Sequence, residues 1–210
     1  MDEQTGLRER KKQRTREAIS NAALKLFFEH GFDQVSISQV AEAAEVSRRT
    51  LFAYFQGKDD LVLHRIADHE HESARVVRAH REAPLPALRE HFLDGLRRHD
   101  PITGLCDLPQ VLALYRLIMG TSTLLPSLLR FRESGELALA AELGESPDLP
   151  PLTARLAAAQ IVSVQWRLSM ENHHRMANGV SATDAYPEAV AAAELGFDLL
   201  MNGLGTLGKS

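Results

Sequence analysis

The chain has 210 residues, 44% of them hydrophobic and 25% charged, the balance of an ordinary globular protein with room for one large domain or two small ones. A single cysteine, Cys106, excludes an intrachain disulfide, and the charged N-terminus is unlike a secretory signal. No apolar run approaches the roughly 20 residues of a membrane-spanning helix, so the expectation is a cytoplasmic protein with no membrane partner.

The formal net charge of −4 argues against a polyanionic partner, but its distribution does not. Residues 1–58 carry a net +2 and residues 59–210 a net −6. Within "RERKKQRTR", Arg8 to Arg16, six residues are basic and one is acidic. A basic tip on an acidic body is what local contact with phosphates requires; a solvated helix start has the same composition.

No sustained alternation of Val, Ile and Thr runs between turn signals, so the chain reads as all-α. The first helix is expected over about Leu7–His30, with Ile19, Ala23, Leu26, Phe27 and His30 recurring on one face. Gly31 provides a left-handed stop, after which Phe32 can fold back on the last turn. Two very short helices follow. "SISQVAEAA" places Ile37, Val40, Ala41 and Ala44 at helical spacing, with Ser36 or Ser38 as N-cap. After Glu45-Val46, Ser47 can cap a helix over Arg48–Tyr54 that turns Leu51 and Phe55 inward with Val46. Two short helices at a tight corner, the second free to enter a groove, are the organisation of a helix-turn-helix.

Gly57 ends that unit. A long helix is expected over Lys58–Ala83, opened by the acids Asp59 and Asp60 and closed by Pro84 and Pro86. Further helices are expected over about Leu88–His99, Leu108–Met119, Leu125–Leu143, Leu152–Asn178 and Thr183–Met201. The stretch "GESPDLPP" is expected to be a loop. This divides the chain into an N-terminal three-helix DNA-binding domain, 1–58, and a larger helical domain, 59–210.

The third helix exposes Arg48, Arg49, Thr50, Phe52 and Tyr54 while burying Leu51 and Phe55. An arginine fork can bridge guanine O6 and N7 in the major groove. The Thr50 and Tyr54 hydroxyls and the Lys58 ammonium suit phosphate oxygens. An isolated Arg-Arg pair is ordinarily a solubilising feature; here it lies on the outward face of a candidate recognition helix, downstream of a basic segment.

The stretch "TREAISNAALKLFFEHGFDQVSISQVAEAAEVSRRTLFAYFQGKDDLV" resembles the DNA-binding domain of TetR-type transcriptional repressors, in motif order and spacing, over about a quarter of the chain. The resemblance implies base-edge contacts at Arg48, Arg49 and Phe52 and phosphate contacts at Thr50, Tyr54 and Lys58. It implies further backbone or edge contacts at Ser36, Ser38 and Gln39, with Ser47 heading the recognition helix. The sequence departs from the family at Glu45, where glycine is usual; a positive φ there would cost on the order of 1 kcal/mol. It also has Gly57, rather than serine, before Lys58. The resemblance further implies a homodimer on a near-palindromic double-stranded operator. The subunits would join through the last two long helices, "LTARLAAAQIVSVQWRLSM" and "AYPEAVAAAELGFDLLMNGL", whose small residues permit close packing.

A small-molecule effector site is expected among the middle helices, lined by Phe92, Leu96, Leu112, Tyr115, Met119, Trp166 and Met170. These side chains suit an apolar or flat ligand. His64, Asp68 and His71 are spaced i, i+4, i+7 and could face Zn²⁺, but a solvated polar face has the same spacing. No phosphate-binding glycine loop, dinucleotide fingerprint or nucleophile elbow is present. No catalytic residue, metal ligand or cofactor is therefore assigned. The sequence is read as a ligand-responsive repressor, not an enzyme; the competing reading is a small-molecule-binding helical protein without DNA affinity.

Overall fold

The computed structural model describes the backbone of residues 2–203 and the side chains of residues 10–203. Among these there is no strand. Ten α-helices run in order: α1 Asp2–His30, α2 Ile37–Ala43, α3 Arg48–Phe52, α4 Asp60–Ala67, α5 Glu72–Ala79, α6 Pro84–Arg97, α7 Pro109–Gly120, α8 Leu125–Gly144, α9 Pro151–Ala177 and α10 Ala182–Asn202. No single described helix is long and apolar enough to cross a membrane.

The chain packs as two compact units, 1–65 with 113–127, and 66–112 with 128–210. The division expected after residue 58 falls inside the first unit. The reason is the start of α4, where Leu61, Val62, Leu63 and His64 are all buried. Ser20 Oγ of α1 donates to the Leu61 carbonyl at 3.4 Å, and Arg65 donates to Asn21 at 2.9 Å.

In the first unit, Ile19, Ala23 and Phe27 of α1 are buried as their spacing indicates. Leu26 is only half-buried and His30 is exposed; Ser20 and Leu24 fill the face instead. Gly31 has φ +84° and donates to the Phe27 carbonyl at 3.0 Å. That stop lets Phe32 return to Phe27, ring centroids 5.1 Å apart. Ser36 caps α2 with a reciprocal box: Gln39 N–H donates to Ser36 Oγ at 3.3 Å and Ser36 N–H to Gln39 Oε1 at 2.8 Å. Val40 and Ala41 of α2 and Leu51 of α3 then close the core with Phe55.

The long helix expected over Lys58–Ala83 is a correction: it is two helices, α4 and α5, separated by a tight turn. His69 N–H donates to Ile66 O, Glu70 N–H to Ala67 O and Glu72 N–H to His69 O, each at 3.0 Å, the short spacing of a tightened turn. "DHEH" contains poor helix formers, and the His69 ring bonds locally to Glu72 at 2.7 Å, an alternative to the helical ladder. Gly135 of α8 lies so close to this turn that an added Cβ would stand 2.5 Å from the Glu70 carbonyl oxygen. Pro84 does not close a helix either: it opens α6 at the first position, where no N–H is needed. The break also disposes of the His64/Asp68/His71 face. The helix ends at Ala67, and His64 is not solvated but 4% exposed, edge-on to Phe55 at 5.4 Å.

The second unit is built on α6, α9 and α10. Alanines 182, 185, 189 and 193 line the inner face of α10. At Gly196 an added Cβ would come within 3.0 Å of Val164, so small residues set the α9–α10 approach. The turn at 101–104 is tied to α9: Ser169 Oγ donates to Ile102 O and Asn172 Nδ2 to Thr103 O, both at 2.9 Å. Arg81 of the α5–α6 connection pairs with Glu142 of α8 at 3.0 Å, and Arg78 of α5 pairs with the same carboxylate.

Candidate nucleic-acid interface

The recognition corner is held by its own backbone and two serine caps. Val46 N–H donates to Ala41 O at 2.9 Å and Glu45 N–H to Glu42 O at 3.0 Å, ending α2 with a left-handed residue at Glu45, φ +54°. Ser47 Oγ then accepts from Thr50 N–H at 3.0 Å and lies 2.8 Å from Thr50 Oγ1. These bonds start α3 one residue after the turn and fix which faces point in and out.

Leu51 and Phe55 are buried at 0% and 1% exposure, whereas Phe52, between them, is 48% exposed. Arg48 and Arg49 are exposed; Thr50 and Tyr54 are half-buried. The outward face of α3 thus carries two guanidinium forks and an aromatic edge over a rigid apolar floor. The Thr50 hydroxyl is partly committed to the cap. Ser36, Ser38, Gln39 and Ser47 are exposed around the mouth of the corner, with Ser36, Gln39 and Ser47 serving as capping residues.

Lys58 has a more specific setting than its sequence indicates. Its ammonium lies 4.3 Å from the Phe32 ring centroid and 5.7 Å from that of Phe27. Burial lowers its pKa from the ordinary value, opposed by the nearby Asp33 carboxylate. Two hydroxyls from the 113–127 segment reach the acids around it. Thr123 Oγ1 donates to Asp33 at 3.4 Å, and Ser127 Oγ donates to Asp59. Sequence reasoning misses both, because no local pattern links positions 90 and 68 residues apart. It also misses the Arg16 guanidinium, 5.9 Å from the Phe55 ring centroid.

The expected effector-site residues divide between the units. Phe92 and Leu96 belong to the core of the second unit, the Phe92 ring tilted against that of Phe197 with centroids 6.1 Å apart. Leu112 packs on that core, and Trp166 and Met170 are half-buried on α9. Tyr115 and Met119 lie in the first unit's 113–127 segment, Tyr115 buried and Met119 46% exposed.

A buried-floor, arginine-faced second helix joined to the first by a capped tight turn defines a helix-turn-helix DNA-binding protein. The family described as "Bacterial regulatory proteins, tetR family" matches residues 19–64, which span this corner. The regulator TcmR of Streptomyces glaucescens is 34% identical over 176 residues, covering 78% of this chain and 77% of its own. RutR of Escherichia coli strain K12 is 38% identical over 93 residues, 42% of each chain. The fold is similar to that of NalD, described as the secondary repressor of the MexAB-OprM multidrug efflux pump in Pseudomonas aeruginosa. The TM-score is 0.54 and the identity 19%, over 88% of this chain and 96% of that one. The chain belongs to the TetR family of transcriptional regulators, whose members here are DNA-binding regulators and not enzymes.

Proposed function

We propose that this protein is a homodimeric repressor that holds a near-palindromic operator and releases it when a largely apolar small molecule binds. The observation that carries the reading is the outward face of α3, Arg48, Arg49 and Phe52 over buried Leu51 and Phe55. Arg48 and Arg49 read base edges in the major groove. Tyr54 and Lys58 contact phosphates, with Thr50 assisting. Ser36, Ser38 and Gln39 contact the flanking backbone, and Ser47 holds the head of α3 against it.

Dimerisation through α9 and α10 is supported by large apolar side chains left exposed on them: Leu152 and Leu156, one turn apart, and Leu195 and Met201. Two recognition helices then meet successive major-groove faces, roughly 34 Å apart. The effector site lies in the second unit and draws on Phe92, Leu96, Leu112, Trp166 and Met170. The effector acts by binding the released state more tightly than the DNA-bound one; a difference of about 1.4 kcal/mol changes operator affinity about tenfold.

Selection of bound duplexes from a random pool tests this directly, with wild type beside Arg48→Ala/Arg49→Ala. A near-palindrome enriched by wild type alone is the expected result. If wild type enriches nothing, even after refolding away any co-purified small molecule, the reading is wrong.

A further inference from the structure

We infer that the Lys58 amine is a covalent modification site, taking an acyl group from an activated donor, an acyl phosphate or an acyl thioester, and that the acylated protein holds its operator more weakly. The inference rests on the reading of Lys58 as a phosphate contact and adds a chemical control to it. Geometry separates this amine from the other described lysines. Lys11, Lys12 and Lys25 are exposed. Lys58 is half-buried, with its ammonium 4.3 Å from the Phe32 ring centroid and 5.7 Å from that of Phe27. Both rings are themselves buried, so they form a fixed wall that holds the flexible four-carbon stem at an apolar edge. Asp33, its charged neighbour, and Asp59, next in sequence, already accept hydroxyl bonds from Thr123 and Ser127.

Withdrawal of an ammonium from water favours its uncharged form, which is the nucleophile, and here burial outweighs the opposing Asp33 charge. In the step, the uncharged Nζ attacks the acyl carbonyl carbon and forms a C–N bond. The C–O bond to phosphate, or the C–S bond to the thiol, breaks. The leaving group takes the bonding pair together with the proton that the nitrogen gives up. The product amide is uncharged and donates one N–H where the ammonium donated three, so the phosphate contact and the cation's attraction to the rings are both lost. The flat amide packs across the ring faces, so the product fits where the amine lay. An arginine here would also hold a phosphate, but its guanidinium keeps its proton and takes no acyl group.

The test uses the full-length protein and the duplex that wild type enriches from a random pool. Protein is incubated over a pH series with acetyl phosphate or, in a second arm, acetyl-CoA, with Nα-acetyl-lysine added as a reference amine. Peptide mass spectrometry follows all five lysines, and fluorescence anisotropy over a series of salt concentrations follows operator affinity. In at least one arm, which identifies the donor, Lys58 should be acylated before Lys25, and its rate should level off at lower pH than that of the reference amine. Acylated wild type should lose about 0.9 unit of salt slope per subunit. Lys58→Arg treated in the same way should keep the slope of untreated Lys58→Arg. Acylation of Lys58 no sooner than Lys25 in both arms, or equal slopes for treated and untreated wild type, overturns the inference and leaves the α3 reading intact. An equal loss in treated Lys58→Arg assigns the effect to other lysines and overturns it too. Failure of wild type to enrich any duplex overturns the operator reading and the control drawn from it, whichever lysine reacts.

Discussion

Glu45 holds the tightest point of the recognition corner in a conformation that suits glycine, at φ +54°. A left-handed non-glycine residue costs roughly 1–2 kcal/mol. Glycine relieves that strain but gives back roughly 0.5–1 kcal/mol through the greater freedom of the unfolded chain. Glu45→Gly should therefore stabilise the protein by about 0.5–1 kcal/mol, or about 1–4 °C in Tm for a chain of this size unfolding as one. Glu45 is also exposed beside the face proposed to meet DNA, so removing its charge should strengthen duplex binding, most visibly at low salt. Glu45→Gln separates the two effects: it removes the charge and keeps the strain. Thermal melts followed by circular dichroism, beside anisotropy titrations on the selected duplex, measure both. The expected pattern is higher Tm for Gly alone and tighter binding for Gly and Gln alike. Equal melting of Gly and Gln variants would refute the strain argument, and unchanged affinity in both would place Glu45 away from the duplex.

Gly104 combines φ +74° with a space already filled: a Cβ there would stand 1.9 Å from the Ser169 carbonyl oxygen. Gly104→Ala should destabilise by more than about 2 kcal/mol, read as a fall in the urea midpoint without a change in m. Arg49→Ala should relax base preference at one operator position by on the order of 1–3 kcal/mol, measured by competition with single-base operator variants. Lys58→Ala should lower the salt slope by about 0.9 per subunit and lose about 0.5–1 kcal/mol of stability with its contacts to Phe32 and Phe27; an unchanged slope would remove Lys58 from the phosphate contacts. The Glu72 carboxylate accepts from His69 at 2.7 Å and lies 3.1 Å from His91. Its bond to Glu72 raises the His69 pKa above the ordinary 6.5, burial opposing, while the bonds from His69 and His91 hold Glu72 well below the usual carboxylate range. Stability from His69 is complete below pH 6.5 and is lost as pH rises through its raised value; that from Glu72 is complete above pH 4.5 and is lost only in strong acid. The cluster should stabilise most between those two values, and the gap in urea midpoint between wild type and Glu72→Gln should narrow from pH 6.5 to 8.

The recognition corner is legible in the sequence because its determinants are local. Ser36 and Ser47 cap three residues ahead, Gly31 turns Phe32 back by one residue, and Leu51 and Phe55 share a face by spacing four. What escapes the sequence depends on distant partners. The stretch from Lys58 to Ala83 has the composition of one helix, yet Glu72 is drawn to His91, nineteen positions on, and Gly135 admits the Glu70 carbonyl. His64 looks like a surface histidine until Phe55 stands against it. Pro84 is ambiguous in sequence, because the same ring that stops one helix can begin the next. The effector site is the least legible part: residues such as Phe92 and Leu96 have the composition of a pocket and of a core alike, and their burial with Phe197 is fixed by helices a hundred residues away.

The first unit takes its last piece from residues 113–127, with Thr123 and Ser127 bonded to Asp33 and Asp59. This has a consequence for synthesis. When residue 65 has left the ribosome, the DNA-reading portion still lacks the segment that completes it, and residues 66–112, about a third of the second unit's chain, separate the two. Contacts of such sequence separation form late. A gene fragment ending at Arg65 would encode the recognition helix without the hydroxyls that hold the acids beside Lys58. The reader and the sequence that follows it mature together, and neither can be transplanted by cutting the chain once.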